Sequence, residues 1–429
     1  MCGHARCAGW RRPLERVGSA VRRVEPPARA RIASTTRRPE LRIAIVRTPE
    51  VPEDCGTGLV AAALAAAGHR IRVVTDLPDD PALVRPDGAG DLRVDTLTPA
   101  TLTDGLASAW ADDPPELVHA VGPAAARAAG TTGLPVVLSY PAGVPARSGA
   151  DDDPLPVGRA RVLAASEDQH TALLRLGVPR AVLRTVPACV DTDVFTPEGP
   201  ALRRDEHPRI VTLGSLADGA GAGAAIRALA RVPGAELLVG GGATGDDADR
   251  ARLFAVAESV GVAGRVRFLG PVGAATVPRL LRSADVVVAA PGHDVPVAPA
   301  LQAMACSRPV VASGVGGLRD AVVDGVTGLH VRPGRVDDLA VAVREILADD
   351  GLRTGFGIAG RDRAVSRFDR SRIADALTGV YTELLEGRAA TPETAGDADP
   401  ADLPDAAESE DPVEAGAGAE RQEPVGATG

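Results

Sequence analysis

Two stretches of this 429-residue chain hold residues whose types and order suit ligand chemistry. The first is Asp218-Gly-Ala-Gly-Ala-Gly-Ala-Ala, which leads into an expected helix over 224–231. Backbone N–H groups at a glycine-rich helix start can hold a phosphate without help from any side chain. A flexible linker before an alanine-rich helix fits the same residues. The second stretch runs from Leu281 to Ser313 and contains His293, Asp294 and Gln302. Apolar strands are expected at 286–289 and 310–312, with a loop and a short Ala/Leu-rich helix between them. That order places the loop and the helix start at the carboxyl edge of a parallel sheet, where α/β proteins bind ligands. His119, at the end of an expected strand over 116–120, is a third candidate; a structural role competes with a role in a cleft there. No Ser/His/Asp or Cys/His set for nucleophilic catalysis emerges, and Cys306 falls in an apolar helix as a small hydrophobe.

Composition narrows the chemistry further. The chain contains no Lys and no Asn, so all 47 basic side chains are Arg. Any phosphate contact must therefore come from Arg, His, backbone N–H or a metal. The five cysteines, at 2, 7, 55, 189 and 306, are too scattered for a disulfide framework or a zinc site. Cys2, His4 and Cys7 come nearest to a ligand cluster, but their spacing is irregular and a fourth ligand is missing. No metal and no cofactor is expected, and a reduced, cytoplasmic setting fits. No run approaches ~18 apolar residues, so no transmembrane segment is expected. Charge is segregated: residues 1–39 carry ten Arg against Glu15 and Glu25, and residues 391–429 carry eleven acids against one Arg. Against a total of −10 this leaves the body between them acidic, which argues against nucleic acid as a partner.

These residues need a scaffold, and the pattern supplies one. Strands are expected at 41–46, 70–74, 116–120, 135–139 and 161–165, then at 210–213, 236–239, 266–269, 286–289, 310–312 and 328–331. Helical or loop segments separate them, which implies parallel sheets with right-handed crossovers. With aromatics at only 2%, the core must be Ala, Val and Leu. The Pro197-Glu-Gly-Pro stretch and the polar run to Pro208 separate two such sheets. The expected domains are a disordered Arg-rich arm (1–39), a first Rossmann-like domain (40–200), a second (201–370), a closing helix (371–388) and a disordered acidic tail (389–429). The tail is too poor in apolar residues to order itself.

Several segments resemble the large GT-B family of retaining glycosyltransferases, family 4. They are Ala-Gly-His-Arg-Ile-Arg-Val-Val at 67–74, Ala-Ser-Glu-Asp-Gln at 165–169 and Val-Pro-Ala-Cys-Val-Asp-Thr-Asp-Val-Phe at 186–195. Val-Arg-Phe-Leu-Gly at 266–270, Ala-Met-Ala-Cys at 303–306 and Gly-Gly-Leu-Arg-Asp-Ala-Val-Val-Asp-Gly at 316–325 complete the set. The resemblance implies an α/β, GT-B fold: two Rossmann-like, doubly wound domains facing a cleft, closed by a helix near 369–386 that crosses back to the first. It implies transfer of a hexose from a nucleotide diphosphate sugar to an acceptor, with Asp294 and His119 as catalytic residues. Gly214, Ser215, Gly219, Gly221, His293 and Gln302 would bind the donor. In that family two glutamates stand where this chain has Asp294 and Gln302, a basic pair where it has Ser215 and Ala220, and a His where it has Pro141. Those departures keep a second reading open: a catalytically degenerate relative whose cleft binds a nucleotide, a glycan or a partner protein.

Overall fold

The computed structural model describes residues 40–48, 56–75, 91–96, 102–142, 160–242 and 247–387. The two terminal segments expected to be disordered lie outside the described residues, as do Cys2, His4 and Cys7. The described residues from Leu41 to Gly387 belong to one compact unit.

That unit contains two parallel sheets. The first uses β1 (Arg42–Arg47), β2 (Arg70–Thr75), β3 (Leu92–Thr96), β4 (Leu117–Val121), β5 (Val136–Tyr140), β6 (Ala160–Ala164) and β7 (Leu183–Thr185), in the order 3-2-1-4-5-6-7. The second uses β8 (Arg209–Leu213), β9 (Glu236–Gly240), β10 (Val266–Gly270), β11 (Val286–Ala289), β12 (Val310–Ser313) and β13 (Gly328–Val331), in the order 10-9-8-11-12-13. In each sheet the order reverses beside its first strand, which opens a crevice at the carboxyl ends. The expected strands are present, and 210–213 and 310–312 share a sheet. The sequence reading did not contain β3 and β7. Both are edge strands: β3 is exposed along most of its length and β7 has three residues, so neither shows a buried apolar run.

Twelve α-helices among the described residues cover the sheets. In the first half these are α1 (Thr57–Ala66), α2 (Leu102–Ala109), α3 (Pro123–Gly130) and α4 (Glu167–Arg175). Around the second sheet lie α5 (Ala222–Leu229), α6 (Asp247–Ser259), α7 (Val277–Arg282), α8 (Ala298–Ala305), α9 (Gly316–Ala321), α10 (Val336–Ala348) and α11 (Asp350–Arg363). The last helix, α12 (Arg370–Leu385), packs against the first sheet. Its Leu377, Tyr381 and Leu384 share a core with Ile43 and Ile45 of β1 and Leu64 of α1. Counting Ile373 and Val380 as well, five large side chains are buried there. At ~1.5–3 kcal/mol each, that is on the order of 10 kcal/mol of gross burial. Polar ties fix the helix in place: Glu383 accepts from Arg184 at 2.6 Å and from Arg161 at 3.2 Å, and Thr378 bonds the His69 ring at 2.9 Å.

The chain passes between the sheets twice, over 186–208 and over 364–370, and the two passages are laced together. Val190 N–H donates to the Phe368 carbonyl at 2.8 Å, and Arg370 N–H donates back to the Val190 carbonyl at 3.0 Å. Arg370 pairs with Asp191 at 2.5 Å, while a π-helical turn over Ala364–Phe368 joins α11 to α12.

Candidate functional site

On the second sheet, β8 runs into the glycine-rich loop and then α5. The loop is packed, so the linker reading does not describe it. A Cβ at Gly219 would sit 3.1 Å from the His293 ring, and one at Gly221 would sit 3.1 Å from the Ala290 backbone. Gly292 N–H donates to the Gly219 carbonyl at 2.8 Å. Both glycines have φ values that side chains avoid, +77° and +116°. The sequence therefore buys close approach of two loops, which brings Gly219 and Gly221 against the turn that carries His293. Gly214 lies at the head of the same loop and its carbonyl accepts from Gly242 N–H at 3.1 Å. Ser215 is exposed, its Oγ accepting from Ala217 N–H at 3.1 Å, and Ala220 is half-buried. α5 has Gly221 at its N-cap, no side-chain cap and no acid in its first turn, which leaves the positive end of its dipole uncompensated by its own residues. A cation missed by the sequence reading reaches the loop from α6: Arg252 donates to the Leu216 carbonyl at 2.6 Å and pairs with Asp249 and, at 3.4 Å, Asp218.

Asp294 lies between the sheets. Its Oδ1 lies 1.8 Å from where a Gly316 Cβ would be, and Gly316 has φ +47°, so no side chain fits at 316. The same glycine reaches across to the first half, donating its N–H to Asp168 Oδ2 at 2.9 Å. Arg319 pairs with the other Asp168 oxygen at 3.1 Å, and Glu167 N–H donates to Asp320 at 2.8 Å. Burial pushes the Asp320 carboxyl above its ordinary range. The start of α4 thus meets the start of α9 across the cleft. Its cap is readable in sequence: Ser166 accepts from Gln169 N–H at 3.1 Å, which leaves Glu167 and Asp168 in the first turn. Gln302 is half-buried on the second turn of α8, and Val297 precedes that helix without a side-chain cap.

His119 lies opposite, on β4, and is only 4% exposed. Its Nδ1 is hydrogen-bonded to the Tyr381 hydroxyl at 2.6 Å and its Nε2 to the Ser139 Oγ at 3.0 Å. Burial lowers its pKa to about 4 and raises that of the Tyr381 phenol. The imidazole is therefore neutral at pH 7 with both nitrogens engaged, and it ties β4 and β5 to α12. His119, Pro141 and Asp294 all line one cavity of about 130 Å³ between the sheets. The candidates thus form two groups: His119 and Asp294 on this cavity, and Gly219, Gly221 and His293 packed together. Cys189 and Cys306 are buried free thiols, raised by burial to about 12 and about 11, and so are poor nucleophiles. No group of His, Cys, Asp or Glu among the described residues is arranged to hold a metal ion, and no described helix is long and apolar enough to cross a membrane.

Two Rossmann-like sheets, a cleft between them and a last helix that returns to the first sheet define the GT-B class of fold. Solved structures agree in fold: a glycosyltransferase from Rickettsia africae covers 81% of this chain and 100% of its own at TM-score 0.71 and 16% identity. Anabaena Alr3699/HepE, solved with UDP and glucose, covers 80% of this chain and 100% of its own at TM-score 0.65 and 17% identity. Residues 198–363 match the family described as glycosyl transferases group 1. A D-inositol 3-phosphate glycosyltransferase from Stackebrandtia nassauensis is 32% identical over 328 residues, covering 68% of this chain and 74% of that protein. One of the same name from Mycobacteroides abscessus is 34% identical over 231 residues, where the match spans about half of each chain. The chain belongs to the glycosyl transferases group 1 family, the GT-B glycosyltransferases of family 4.

Proposed function

We propose that this protein transfers a hexose from a nucleotide diphosphate sugar, held on the 201–370 side of the cleft, to an acceptor held on the 40–200 side. The observation that carries this reading is the placement of Asp294 from one half and His119 from the other on a single cavity. Relatives named as glycosyltransferases and a fold neighbour solved with UDP and glucose support the donor class. In the reaction the bond between the anomeric carbon and the phosphate oxygen breaks and the acceptor oxygen bonds on the same face. The acceptor proton leaves with the nucleoside diphosphate. Asp294 would accept a sugar hydroxyl hydrogen bond, Gln302 would hold the ribose, and the Gly214–Gly221 loop with the α5 start would face the diphosphate. His119 would position β4 and β5 without exchanging a proton. The free thiols of Cys189 and Cys306 support a reducing, cytoplasmic setting.

A second reading rests on Ser215 and Ala220, which bring no charge to a loop where diphosphate charge would gather. In it the cleft binds a nucleotide, a glycan or a partner protein without turnover. A titration and a turnover assay together separate the two. Ser215→Arg with Ala220→Lys should tighten UDP-glucose binding about 30- to 150-fold by calorimetry, as two charge-assisted contacts require. Measurable UDP-glucose turnover by the unaltered chain supports transfer; tight binding without turnover favours the second reading. Absence of UDP, GDP and sugar-nucleotide binding from both proteins overturns the proposal.

A further inference from the structure

The cavity between the sheets is apolar in a way that speaks to the acceptor. Its walls come from β1 (Ile45), α1 (Val60), β6 (Leu163), the crossing segment (Val186) and α12 (Ile373 and Leu377). Four of these six side chains are 4% exposed or less, so the cavity is a well that descends from the cleft into the first core. Thr57, His119, Ser139, Tyr140, Ser166 and Asp294 supply its polar side chains, and no arginine is among the described residues that line it. Its one imidazole is neutral, held by Tyr381 and Ser139. Among the described lining residues an anion would meet no cation, and it would face the Asp294 carboxyl group, an arrangement that desolvation makes costly. An apolar ring or short alkyl group would instead lose only water. A cavity on the order of 150 Å³ lined by aliphatic side chains holds a benzene ring, which matches the size here.

Resting on the transferase reading, we infer that the acceptor is an alcohol whose non-reacting part is a small apolar ring or alkyl group seated in this well, with its hydroxyl directed up toward Asp294. A phosphorylated inositol, the acceptor in the relatives' names, does not suit it. Neither composition nor any one motif reveals the well, because its wall residues are spread from 45 to 377.

Benzyl alcohol and D-inositol 3-phosphate are suitable probes on the full chain, with UDP titrated separately. Saturation-transfer NMR should detect benzyl alcohol on the unaltered protein, and an excess of D-inositol 3-phosphate should not displace it. Val60→Phe and Val186→Phe, both at half-buried wall positions, should each weaken benzyl alcohol binding at least about tenfold by filling the well, with UDP affinity unchanged. Melting curves identify any variant that fails to fold, and the comparison of the two probes on the unaltered chain needs no variant. No detectable benzyl alcohol binding, displacement by D-inositol 3-phosphate, or indifference to both substitutions overturns the inference. Failure of UDP to bind strikes the transferase reading instead, since that titration reports on the other side of the cleft.

Discussion

On the second sheet's side of the cleft, backbone approach sets the geometry: Gly219 against His293, Gly221 against Ala290, Gly316 against Asp294. On the first sheet's side, side chains do it, through the buried His119, Tyr381 and Ser139 chain and the aliphatic well below. The contrast shows two ways of pre-arranging a site. One removes atoms so that loops touch, and it tolerates no added carbon. The other adds partners, and it fails when a partner is lost or charged.

The comparison is broken first at Gly316. Gly316→Ala puts a Cβ into the Asp294 carboxylate and strains a positive φ, so Asp294 must move and the contact with Asp168 must loosen. A loss of about 3 kcal/mol in unfolding free energy is expected, together with loss of nucleotide-sugar turnover. Urea unfolding and a transfer assay check this; a fully stable, active variant would show that the backbone contact is dispensable.

The next test charges the first side instead. The folded pKa of His119 lies at about 4, below the ordinary 6.5. Between these values the unfolded chain takes up a proton that the folded chain refuses, so this group's contribution is present above pH 6.5 and fades as pH falls toward 4. Comparing pH 7 with pH 4.5, wild type should lose about 2–3 kcal/mol more than His119→Gln, which has no such proton to bind. Equal losses would mean that the histidine is not buried neutral.

The smallest effect is expected where the two sides meet. Asp168→Ala removes a half-exposed ion pair with Arg319 and one backbone hydrogen bond, so stability should change by only about 1 kcal/mol. Its mark should be geometric: the starts of α4 and α9 lose a direct tie, and small-angle scattering should report a wider cleft. An unchanged scattering curve would assign closure to the laced passages near Val190 and Phe368 instead.

The two sides also differ in how far they can be read from sequence. A glycine run declares itself, so the Gly-rich loop stood out in the sequence, as did the long apolar strands. Their partners did not. Tyr381 is 262 positions from His119, and Asp168 is 148 from Gly316, and no local period encodes such pairs. Arg252 was overlooked for the same reason, since its helix lies beyond the next strand. The edge strands β3 and β7 escaped notice because they bury too little to carry a pattern.

The return of α12 has a consequence for how the molecule is made. A ribosome releases the chain from the amino end, so β1 to β7 emerge first, yet Ile373, Leu377, Tyr381 and Leu384 of their core arrive last. The second sheet's elements are all synthesised before the first core can be completed. Throughout that interval the nascent first half exposes the aliphatic face that α12 will cover, and its His119 waits for the Tyr381 hydroxyl. Translation order and folding order therefore run in opposite directions in this protein, and a stop codon before Arg370 would strand the half that was made first.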